Sequence, residues 1–152
     1  MNNEDYAEGE YGPKTGIWRI LRILDEVKVK TTFLTCGGIA ERYPEATQAI
    51  AQQGHEIAGH GYHHEIARDL SPTEEKDIIR RTTEMLEKVS GKIPVGWRTC
   101  TQSDQTVELL MEEGMSGTAI RSQTIFRSYG ITAIQPWLNY HGNRLAMAAV
   151  RP

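Results

Sequence analysis

The chain has 152 residues, the size of one ordinary domain, of which 39% are hydrophobic and 24% charged. Its formal charge is −3 and no Lys/Arg block exceeds two residues, so a nucleic-acid footprint is not expected, and no apolar run approaches the ~20 residues that cross a bilayer. The acidic opening MNNEDYAEGE does not read as a secretory signal, which makes the cytoplasm the expected location; Cys36 and Cys100 share no C-x-x-C spacing and are expected to remain thiols there.

The first sixteen residues read as an irregular arm, with Pro13 and Gly16 at the entry to a helix. Ile17, Ile20, Leu21 and Leu24 recur at spacings of three and four, one apolar helical face. VKTTFL, Val29 to Leu34, is β-branched and aromatic and reads as a strand, with Gly37-Gly38 as the turn after it. Pro44 opens a helix with Ala46, Ile50 and Ala51 on its inner face, and Gly54 occupies a left-handed C-terminal position. His55 to Gly59 reads as a short strand leading into a loop. Ser71-Pro72-Thr73-Glu74 is a capping box with proline in the first helical turn. The helix it opens carries Ile78, Ile79, Met85, Leu86 and Val89 as its buried stripe and stops at Gly91.

VGWRTC, Val95 to Cys100, reads as another strand. Ser103 or Asp104 can cap a shorter helix bearing Val107, Leu110 and Met111, with Gly114 as its stop. Short β-like runs follow at Gly117–Ile120, Ile131–Pro136 and Leu145–Val150. Helix and strand alternate through the first two-thirds of the chain, the signature of a parallel sheet with crossover helices, in an α/β layered fold or part of a barrel. Functional residues in such folds gather at the C-terminal ends of strands, where the histidines and Arg98 fall.

Four of the five histidines lie in GHEIAGHGYHHE, at His55, His60, His63 and His64. His60 and His64 are four apart with glycine on both sides of the first, and a loop can fold two such imidazoles toward one point. Neutral imidazole suits zinc and related divalent ions, and a catalytic zinc wants a third protein ligand and an open position. The spacing alone serves a ligand pair or ordinary surface and core histidines equally well. His55 follows a helix-ending glycine and reads as a packing residue. His63 alternates in direction with His64 and reads as a bystander.

Four stretches taken in order are more specific. EYGPKTGIWRILRILDE, TTFLTCGGIAERYPE, GHEIAGHGYHHE and GKIPVGWR together resemble the polysaccharide deacetylase family, also called the NodB-homology or carbohydrate esterase 4 fold. The likeness is to its peptidoglycan deacetylase-like and allantoinase-like branch, and it runs from about residue 10 to 114. The resemblance implies a distorted (β/α) barrel and metal-dependent hydrolysis of amide bonds, such as the N-acetyl groups of sugars. It implies that His60 and His64 are the metal pair and that Arg98 orients the catalytic carboxylate. Gly54, Glu56 and Gly59 match structural positions of the same motif. The proline expected two residues after Arg98 is replaced by Cys100.

Two parts of the family pattern are not matched. Its first strand carries two acidic residues, one the general base and one the metal's carboxylate ligand, upstream of the position of Glu10-Tyr11-Gly12. No hydrophobic strand precedes those residues here, which leaves Asp5 as the candidate third ligand and Glu4, Glu8 and Glu10 as other carboxylates of the arm. The late leucine-x-histidine motif is also not matched, and His141 in LNYHGN reads as a turn residue. The expectation is one truncated domain over 1–152: an α/β, partial or rearranged NodB-type barrel with a β-rich tail from 115. The expected cofactor is a divalent metal, zinc first, and the expected substrate a carbohydrate or small amide, with activity impaired by the unmatched motifs. Unpaired sheet edges favour a homo-oligomer. The rival readings are a non-catalytic carbohydrate-binding or oligomerisation module and a fragment that folds without a selected role.

Overall fold

The computed structural model describes residues 10–94, 96–99, 101–115, 117–120, 123–128 and 131–135. Asp5, Glu4, Glu8, Cys100, His141 and the run Leu145–Val150 lie outside the described residues.

The helical path begins earlier than the sequence suggests. Glu10 and Tyr11 are already helical and Gly12–Gly16 forms a π-helical turn that runs directly into helix α1, Ile17–Glu26. Pro13 sits in the first turn, where its missing N–H removes no bond. The carboxylate of Glu10 is taken up there: it meets Lys14 at 2.8 Å and Arg42 at 2.9 Å and accepts from the Tyr43 hydroxyl at 3.2 Å. The Lys14 hydrogen bond holds its carboxyl below the ordinary range. Of the expected apolar face, Leu21 is fully buried and Ile17 packs on the core, but Ile20 is 48% exposed. Ile20, Ile23 and Val27 instead form an outward stripe.

Strand β1 is Thr32–Thr35, three residues later than VKTTFL suggests, because pairing starts only where its neighbour does. Gly37-Gly38 is not a turn. It opens a short helix, α2, Gly37–Arg42, after which Pro44–Gln52 forms α3 with Ala46, Thr47, Ile50 and Ala51 buried. Strand β2, Glu56–Gly59, pairs in parallel with β1, Thr35 opposite Gly59. A single 3-10 turn, Ala67–Asp69, leads to α4, Pro72–Ser90. Its capping box is complete: the Ser71 Oγ accepts from the Glu74 N–H, and the Glu74 carboxylate accepts from the Ser71 N–H at 2.9 Å. Gly91 ends it in the left-handed region.

Strand β3, Gly96–Arg98, pairs in parallel with β2 through Gly59 and Trp97. Helix α5, Thr106–Glu112, buries Leu109 and Leu110 and leaves Met111 70% exposed, since one residue past Leu110 turns a helical side chain about 100° away. Strand β4, Gly117–Ile120, pairs in parallel with β3. Strands β5, Gln123–Ser128, and β6, Ile131–Gln135, continue the sheet antiparallel. Only the first and last of these three runs are visible in the sequence pattern.

The sheet order is β1-β2-β3-β4-β5-β6, with the first four strands parallel and successive. That progression is the barrel type of winding. Two apolar clusters hold the helices to it, Leu21, Ala40, Ile50, Ala51, Ile57 and Leu86 in one, Ile79, Trp97, Leu109, Leu110 and Met115 in the other. Helix α4 contributes to both and so fixes the two halves of the sheet to one backbone. No helix among the described residues is long and apolar enough to cross a membrane.

Candidate functional site

The C-terminal ends of the parallel strands bring three residues together: Cys36 after β1, His60 after β2 and Arg98 at the end of β3. The Cys36 thiol donates to the His60 carbonyl at 3.3 Å. The register makes His60 follow Gly59, whose hypothetical Cβ would overlap the six-membered ring of the Trp97 indole. Trp97 is buried, so only glycine lets β2 and β3 close up at this point.

His60 Nδ1 lies 2.6 Å from the backbone oxygen of Arg98. A carbonyl can only accept, so Nδ1 carries the proton and Nε2 is the ring's lone-pair atom. This is the orientation a metal-ligating imidazole takes when its other nitrogen is held by the backbone. The His64 ring stands edge-on to His60, centroids 4.7 Å apart and planes at 75°. His64 has φ of 66°, uncommon for a residue with a side chain, and the loop keeps it there.

The loop is anchored at both ends. Tyr62 is buried, donates to Glu41 at 2.9 Å and lies under the Arg81 guanidinium, 4.4 Å from the ring centre. Burial pushes its phenol above the ordinary range. The N–H groups of Gly37 and Gly38 donate to the carbonyls of Gly61 and Tyr62 at 3.0 and 2.9 Å. A cavity of about 20 Å³, room for about one water molecule, lies beside His60, Gly61, Glu65, Glu75, Trp97 and Thr99. Glu75 is buried there, with the hydroxyls of Ser103 and Thr106 each donating to it at 2.5 Å.

The other expected residues sort as follows. His55 is buried, accepts from the Thr31 N–H at 3.4 Å and packs edge-on to Phe33, a packing residue remote from the pair. The His63 ring meets Tyr62 rather than His60 or His64. The Arg98 side chain is exposed and, among the described residues, has no ion pair; the backbone carbonyl is what joins it to the site. Among the described residues no third His, Cys, Asp or Glu completes a metal-holding group with the pair, and Asp5 lies outside them. Glu65 and Glu75 were missed by sequence reasoning. Glu65 stood in plain view beside His64, but a carboxylate serving backbone amides leaves no spacing signal; Glu75 could be read only as a first-turn acid.

Successive parallel strands, helical crossovers and a histidine loop at the strand ends define an α/β protein of the NodB barrel type. A family model for polysaccharide deacetylases matches residues 10–117, and the chain belongs to that family. It is 37% identical over 114 residues to a peptidoglycan deacetylase-like protein of Gibberella zeae, covering 72% of this chain and 34% of that one. It is 26% identical over 136 residues to a peptidoglycan deacetylase of Helicobacter pylori, covering 88% and 46%. Among solved structures, PuuE allantoinase matches with a TM-score of 0.70 at 30% identity, over 75% of this chain and 38% of that one. The chain thus spans between a third and a half of the length of these relatives.

Proposed function

We propose that this chain is a polysaccharide deacetylase-like hydrolase of amide bonds, acting on N-acyl groups of a carbohydrate, with a divalent metal, zinc first, held by His60 and His64. The observation that carries the reading is the paired imidazoles, with His60 Nδ1 held by the Arg98 carbonyl and the His64 ring edge-on to it. A bound divalent ion would supply Lewis-acid polarisation of the amide carbonyl and activation of water. In this reading His60 and His64, whose rings stand 4.7 Å apart, would each give one nitrogen to the ion. Arg98, by family resemblance, orients the carboxylate that takes the proton from water, and Asp5 is the candidate third ligand.

The test is release of acetate from an N-acetylglucosamine oligomer and from peptidoglycan, with added zinc or cobalt. Activity above that of a His60→Ala/His64→Ala double variant supports the reading. Equal rates in the two proteins would remove it.

The same reading takes the chain as a homo-oligomer through the edge of β1. Among the described residues β1 pairs with β2 alone, and its Leu34 is 40% exposed.

A further inference from the structure

Both carboxylate oxygens of Glu65 face the loop that carries the histidines. Oε2 accepts the Tyr62 N–H at 2.8 Å and Oε1 accepts the His63 N–H at 2.8 Å. A carboxylate across two successive amides satisfies both donors and fixes the peptide between them. The two residues flanking those amides, Gly61 and His64, both have positive φ, 80° and 66°. The φ of Gly61 favours glycine, and a Cβ there would come within 2.6 Å of Glu65 Oε2, so a larger residue would push the carboxylate aside.

The loop is gripped from two sides. Helix α2 holds the carbonyls of Gly61 and Tyr62, and Glu65 holds the amides of Tyr62 and His63. The backbone hydrogen bonds from α2 stop at Tyr62; beyond it Gly38 lies against the His63 ring but donates to no loop carbonyl. The turn that carries His64 back against His60 lies wholly within the span that Glu65 bridges. We propose that Glu65 is a positioning residue, which sets His64 against His60 and thereby sets the affinity of the pair for a divalent metal without itself being a ligand. This rests on the metal reading above.

The test uses the full chain, with cobalt as the metal probe followed by its visible absorption, and amide hydrogen exchange measured on the metal-free protein. Glu65→Ala is expected to speed exchange at the Tyr62 and His63 amides by about tenfold or more. It is expected to weaken cobalt binding by about 10–100-fold, the range seen when a residue that orients a ligand is removed. Glu65→Gln keeps one acceptor and loses the charge, so it should recover part of both effects. If Glu65→Ala does not fold, Glu65→Gln carries the comparison, and wild-type cobalt affinity in Glu65→Gln would overturn the proposal. Wild-type affinity in folded Glu65→Ala, with binding lost in His60→Ala and His64→Ala, overturns the positioning role and leaves the metal reading standing. Cobalt binding indifferent to His60→Ala and His64→Ala overturns the metal reading, and the positioning role with it.

Discussion

At the scale of single residues, His55 and His60 show how burial and hydrogen bonding divide one sequence cluster into different jobs. Burial holds the His55 imidazole below its ordinary value of 6.5, and the nearby Lys30 charge adds to the effect. The unfolded chain therefore takes up this proton more readily than the folded one. The stability His55 contributes is present above pH 6.5 and is lost as the pH falls below it toward the folded value. Urea midpoints measured at about pH 7.5 and about pH 5.5 should drop on acidification. The drop should be smaller in His55→Asn, which can keep an acceptor for Thr31; an equal drop would show that His55 does not drive it. Gly59→Ala is expected to destabilise by about 1–3 kcal/mol, the cost of overpacking, because its Cβ meets the Trp97 ring. Thermal or urea unfolding reads this directly, and a neutral change would mean that β2 and β3 separate without strain. The histidine pair was legible in the sequence because its spacing is a motif. The tautomer of His60 was not, since it depends on the carbonyl of a residue thirty-eight positions away.

At the scale of elements, α4 was the most legible piece, because its cap, stripe and stop are all local signals. The capping box makes a direct prediction. Ser71→Ala should cost about 1 kcal/mol, seen as a lower urea midpoint with an unchanged slope. The buried contact of the same helix with α5 should matter more. Thr106→Val leaves the Glu75 carboxylate one donor short and should cost about 1–3 kcal/mol by the same measurement. A smaller loss than for Ser71→Ala would show that Glu75 is satisfied by Ser103 alone. The misreadings have a common cause. Gly37-Gly38 carries the composition of a turn, yet its amides are taken by the histidine loop, so a helix starts there. Strand β5 owes its pairing to β4 and β6 on either side, and its own sequence shows little alternation.

At the scale of the whole molecule, the alternation of elements foretold the parallel order β1 to β3, while the parallel pairing of β4 and the antiparallel extension followed from pairings no local pattern records. The outward face of α1 and the edge of β1 argue for association. Light scattering after size exclusion is expected to give a mass above 17.1 kDa at high concentration, and Leu34→Lys is expected to lower it. A monomer at every concentration would remove the oligomer from the account. The chain belongs to the polysaccharide deacetylase family, and the proposal made for it is that the His60–His64 pair holds a divalent metal. The most direct test of that claim is equilibrium titration of the purified chain with zinc, with cobalt as the visible probe. One ion per chain, with binding abolished in both His60→Ala and His64→Ala, is the expected result. Binding that survives either substitution, or no binding by the unaltered chain, would contradict it.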